Sequence, residues 1–112
     1  MVTRAASYER PLRLYGPLKM TATESHQFSN ISATTGAFTL MGDKYGLDIS
    51  ATWSSGNAQL ETLSLDGSTW INVGSSITTN GFSNYDLPAG QYRIAITSAT
   101  AVYAALTTIL ET

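Results

Sequence analysis

The sequence predicts an all-β fold: an antiparallel β-sandwich, jelly-roll-like, with an extended N-terminal arm. Three observations carry that expectation. Apolar residues recur at every second position over most of the chain, and no window shows the 3.6-residue period of an amphipathic helix. Turn-forming residues recur every eight to twelve positions and divide the chain into seven or eight short strands. Residues 1–24 stand apart, with Pro11, Pro17 and no sustained period, so they read as an extended arm in front of a domain at 25–112.

Taken in order, a first strand is expected over Gln27 to Ala33, anchored by Phe28. A second covers Ala37 to Met41 and ends at a Gly42-Asp43 turn. The clearest strand follows: Tyr45, Leu47, Ile49, Ala51 and Trp53 alternate with Gly46, Asp48, Ser50, Thr52 and Ser54. Strict alternation places the first set inward, so Trp53 is expected in the core beside Tyr45, Leu47 and Ile49. Ser55-Gly56-Asn57 reads as a turn. The segment Ala58 to Leu65 changes phase between Leu60 and Leu63, and a β-bulge near Glu61-Thr62 would reconcile the two halves.

Asp66-Gly67-Ser68 makes a tight turn, and Thr69 to Val73 returns carrying Trp70 as a core residue. Residues 74–81 form a loop or a weak edge. Phe82 to Leu87 is a short strand, closed by Pro88-Ala89-Gly90. Gly67 and Gly90 are both expected at positive φ. Tyr92, Ile94 and Ile96 alternate with Gln91, Arg93 and Ala95. Ser98-Ala99-Thr100 turns again, and Ala101 to Leu110 is the last strand.

Composition bounds the function. A chain of 112 residues makes one domain, with room for a core but not for a core and a deep substrate cleft. Charged residues are 12% of the chain, about half the usual share, which suits a surface that a partner covers. There is no cysteine, hence no disulfide or thiolate metal site. The first twenty residues lack the apolar core of a signal peptide, and no run reaches the roughly 20 apolar residues of a membrane span. Charge is uneven. Residues 1–19 carry Arg4, Arg10, Arg13 and Lys19 against Glu9, a net +3, whereas residues 20–112 hold two bases against seven acids, a net −5. Four bases interleaved with leucines are too few for a phosphate-tracking patch, so nucleic acid is not expected as a partner.

The inventory for catalysis is thin, and no enzyme is expected. His26 is the single histidine, with no nucleophile or acid placed beside it by a known spacing. Asp43 and Asp48 lie roughly 16 Å apart on an extended chain and on opposite faces, so they make no carboxylate pair. Asp66 and Asp86 occupy turn positions, where Asp bonds to local backbone. No glycine-rich phosphate loop, metal-ligand spacing or cofactor motif is present. Ser64 to Trp70 resembles the Asp box of sialidase-type propellers, one residue short between Asp and Gly, and that box is a structural hairpin without activity.

The body resembles small virion proteins of tailed bacteriophages. The resemblance is carried by Lys44-Tyr45-Gly46-Leu47-Asp48, Thr52-Trp53 with Gly56, Leu60, and Asp66-Gly67-Ser68-Thr69-Trp70. It continues through Asp86-Leu87-Pro88-Ala89-Gly90-Gln91-Tyr92-Arg93-Ile94 and Ala99-Thr100-Ala101-Val102-Tyr103-Ala104. It implies a structural protein, of the capsid decoration (cement), head-fibre or tail accessory kind, with no catalytic residue and no cofactor. The expected partners are the major capsid protein or other virion subunits and further copies of the chain, a trimer being favoured. The expected location is the virion, assembled in the host cytoplasm. The arm residues expected to grip the partner are Arg10, Leu12, Arg13, Leu14 and Leu18. The alternative is a tail or fibre module that binds host-surface glycan through exposed aromatic rings.

Overall fold

The computed structural model describes residues 23–109. These form eight β-strands and no helix: β1 Ser25–Ile31, β2 Phe38–Leu40, β3 Asp43–Thr52, β4 Asn57–Leu63, β5 Trp70–Asn72, β6 Gly81–Leu87, β7 Gly90–Thr97 and β8 Thr100–Thr108. They make two antiparallel four-stranded sheets, in the orders β1-β8-β3-β6 and β2-β7-β4-β5. The pairing is nested. β1 pairs with β8, β2 with β7, β3 with β6 and β4 with β5. The chain is thus a long hairpin folded across the two sheets, and β8·β3 and β7·β4 close each sheet.

The alternation seen in the sequence builds the core. Tyr45, Leu47 and Ile49 of β3 meet Val102, Ala104 and Leu106 of β8 on the inner face of the first sheet. Ala58 and Leu60 of β4 and Tyr92, Ile94 and Ile96 of β7 supply the inner face of the second. All are buried in one cluster, so the sheets form a sandwich.

Several details depart from the expectations. β4 carries no bulge; its register against β5 and β7 is continuous. The phase change arises because Leu65 lies in the turn, fully exposed, and Leu63 is half-buried on the outer face opposite Trp70. The register shifts occur instead between Phe28 and Ile31 of β1 and opposite Ser50–Thr52 of β3, where β8 carries the extra residue, beside the positive-φ residues Asn30 and Ala101. Trp70 is half-buried on the outer face rather than in the core. Trp53 is half-buried too, packed on the core from its margin, with its indole N–H donating to Asn80 Oδ1 at 2.9 Å.

Of the two glycines expected at positive φ, Gly67 has φ of 78°. Gly90 does not, because Pro88 and Ala89 make the turn and Gly90 already pairs with Leu40 as the first residue of β7. The β3–β4 turn sits one residue earlier than expected, on Ser54 and Ser55, both at positive φ. Gly56 follows it, where the backbone of residues 97–99 crosses. A Cβ there would lie 2.5 Å from the Ser98 carbonyl carbon and 2.6 Å from the Ala99 nitrogen, and would collide with the Thr97 oxygen.

Candidate interaction surface

The outer face of the first sheet follows from the out-phase residues of four strands. One row reads Gln27, Ala105, Asp48, Phe82 across the sheet, and the next reads Ser25, Thr107, Gly46, Asn84. Tyr103 stands opposite Ser50 above them. Asp48 is the single charged residue among these positions. Phe82 is 65% exposed and Tyr103 50%. Gly46 lets the Phe82 ring lie down on the sheet: a Cβ at Gly46 would come within 2.6 Å of the ring carbon Cζ. The middle of the face therefore carries one charge and two aromatic rings offered to solvent, and its last row is the exposed pair Lys44 and Asp86, 3.7 Å apart. A shallow groove of about 180 Å³ runs beside Tyr103, lined by Gln27, Ser29, Asp48 and Ala105.

A second feature opens at the edge of the same sheet. Among the described residues, β6 pairs with β3 on one side and with no strand on the other. Its inward positions, read from the register, are Gly81, Ser83, Tyr85 and Leu87. Gly81 and Ser83 are too small to close the gap between the sheets. A cavity of about 390 Å³ results, with Ile49 and Tyr85 on one side and Ile77 and the hydroxyl-rich loop 75–79 on the other.

The outer face of the second sheet is closed upon itself. Arg93 Nε donates to Glu61 Oε1 at 2.6 Å, and the guanidinium sits 4.4 Å from the centroid of the Trp70 ring. Each group answers another, so this cluster is read as cross-strand support.

Near the N-terminal limit of the described residues, Glu24 is held by β3, β8 and Met41, just after β2. Its carboxylate accepts from the Tyr45 hydroxyl at 2.6 Å, from the Met41 backbone N–H at 3.2 Å, and stands 3.1 Å from His26 Nε2. Its backbone N–H donates to Thr108 Oγ1 at 3.0 Å, and its carbonyl accepts from the Thr108 N–H at 2.9 Å. Burial works against the charged carboxylate, but the bonds from Tyr45, His26 and Met41 outweigh it, and the group lies below its ordinary range. Burial, reinforced by the Glu24 acceptor, pushes the Tyr45 phenol up to about 12. His26 lies in β1 and stacks on Phe38 at 4.9 Å between ring centroids.

The arm residues Arg10, Leu12, Arg13, Leu14 and Leu18 lie outside the described residues. Sequence reasoning did not find Glu24, the Gly46–Phe82 contact or the Gly81/Ser83 gap. Period-two reading did place Gly46 on the outer face, yet gave no sign of what lay across from it.

No family model matches the chain, and no curated protein sequence matches it. Among solved structures, the fold is similar to that of the SPBc2 prophage-derived protein YomS. The TM-score is 0.52 at 13% identity, over 82% of this chain and 100% of that one. At that identity the likeness is one of fold.

Proposed function

We propose that this protein is a structural virion protein of a bacteriophage, a capsid decoration (cement) protein that binds the assembled shell and stabilises it. The observation that carries the reading is the outer face of the first sheet. Interface centres are depleted in charge and enriched in aromatic residues, and the middle of this face has one charge, Asp48, and two exposed rings, with the Lys44–Asp86 pair set at its end. Three further points support it. The nested pairing β1·β8, β2·β7, β3·β6, β4·β5 supports a jelly-roll reading, an architecture found among viral capsid domains. The similar fold of YomS belongs to a prophage-derived protein. A basic arm on an acidic body suits a segment that grips acidic neighbours.

In this reading the partners are the major capsid protein and further copies of the chain, in a trimer. The location is the virion. No cofactor, membrane or nucleic acid takes part. The mechanism is mass action: a protein that binds the closed shell better than its dissociated subunits shifts the balance toward the shell. The test adds purified protein to undecorated shells and follows co-sedimentation and the temperature of shell disruption. Saturable binding with a raised disruption temperature is expected, and Phe82→Glu should abolish both. Binding confined to tails would sink the cement reading.

The second reading, a tail or fibre module for host glycan, is favoured by Tyr103 alone. Its exposed ring stands beside a shallow groove whose polar groups, Gln27, Ser29 and Asp48, could bond sugar hydroxyls. Glycan-array binding lost in Tyr103→Ala would select it.

A further inference from the structure

We propose that the open edge of β6, with its adjoining groove, is the receptor for the arm of a second copy of this chain, which adds to the first sheet as a fifth strand. The inference is independent of the virion reading and stands or falls on oligomerisation alone.

An edge strand bordered by a groove is the geometry of strand addition: backbone bonds supply affinity, and the groove takes alternate side chains. β6 offers seven residues, and the gap left by Gly81 and Ser83 opens onto Ile49 and Tyr85. The occupant must be extended, apolar on alternate positions and short. Between Pro11 and Pro17 the chain reads Leu-Arg-Leu-Tyr-Gly, five residues that put Leu12 and Leu14 on one side and Arg13 and Tyr15 on the other. The flanking prolines lack the N–H that a longer ladder would need. Charge agrees. Residues 1–19 are net positive; on the receptor side Asp48 lies opposite Phe82 of β6, while Asp86 of β6 is paired with Lys44 at 3.7 Å.

Strand direction selects a second copy. Ser25, Thr107, Gly46 and Asn84 lie in one row, so β1 begins at the end of the sheet where β6 finishes. Folded back along its own β6, the arm would run parallel to that strand. Every other pairing in both sheets is antiparallel, the slightly stronger arrangement. An arm from a neighbour meets β6 antiparallel without constraint. Such an arm-to-edge contact is heterologous and closes as a ring of copies, or is reciprocal and closes as a pair.

The chain has no cysteine, so engineered thiols report on this contact alone. Full-length Leu14→Cys and a size-tagged full-length Ser83→Cys are mixed and oxidised. A disulfide-linked heterodimer is expected, and it should vanish when Gly81→Leu, whose side chain enters open space, is added to the Ser83→Cys chain. Only homodimers, or no link, would overturn the proposal. So would a Leu14→Cys/Ser83→Cys double variant that closes only within its own chain. As a second measurement, deletion of residues 1–20 should reduce the sedimenting species to monomer with the thermal midpoint of the domain kept. An assembly of unchanged size would also overturn the proposal. Shell binding is scored separately, so either idea can fail without the other.

Discussion

Single residues decide more here than their types suggest. Trp53 closes the margin of the core and is anchored by Asn80, so Trp53→Ala should cost about 2–3 kcal/mol, less than the ~3–5 of a fully buried aromatic. Urea denaturation followed by circular dichroism measures it; an unchanged midpoint would show that the indole is dispensable. Tyr45 lets the pH dependence be worked out. Its folded pKa lies near 12 against an ordinary value of 10.0, so its contribution is complete below pH 10 and is lost as pH climbs between those values. Tyr45→Phe should therefore flatten the alkaline limb of a plot of thermal midpoint against pH. Glu24 acts at the other end: its folded pKa is lowered from 4.5, so its contribution is present above that value and fades as pH falls below it. Asp66 behaves likewise. Its carboxylate accepts from the Thr69 hydroxyl at 2.6 Å and from the backbone N–H groups of Ser68 and Thr69, which hold it down to about 2.

Elements were legible where one residue type served one local need. The alternation of Tyr45, Leu47 and Ile49, and of Tyr92, Ile94 and Ile96, marks β3 and β7 because burial on one face enforces period two. Asp66-Gly67 marks its turn because a carboxylate can cap the next N–H groups and glycine accepts positive φ. The reading failed where a distant element set the requirement. Gly56 reads as a turn glycine, but its turn falls on Ser54 and Ser55; the glycine is required by the backbone of residues 97–99. Gly56→Ala should consequently cost more than Gly67→Ala. The first drives a methyl into three backbone atoms, near or above the ~3 kcal/mol end of overpacking; the second meets open space and loses only ~1–2 kcal/mol to a left-handed backbone. Parallel denaturation curves of the two variants decide the order. The interaction surface was half visible: its out-phase residues follow from alternation, but which strand lies at an edge depends on pairing that no local pattern records.

At the scale of the whole molecule, the nested order makes almost every pairing long-range. β1 meets β8 with Ser25 opposite Thr107, and β2 meets β7 with Phe38 opposite Tyr92. Loop closure must be met before such contacts form, so folding should be slow for a domain this small, in the range of milliseconds to seconds. Stopped-flow refolding followed by the fluorescence of Trp53 and Trp70 measures it, and microsecond relaxation would contradict the topology.

The side-by-side entry and exit of the domain also determines how it bears load. Tension applied between Glu24 and Thr108 would pull on two neighbouring strands from the same end. Their bonds would then break rung by rung, as a zipper opens. Tension between Glu24 and an attachment on the outer face of the first sheet would instead draw β1 along its own axis, straining many rungs of the β1·β8 ladder together. The same domain should thus yield at lower force when stretched between Glu24 and Thr108 than when held by its face. Single-molecule pulling in the two attachment geometries would read that contrast as a difference in rupture force.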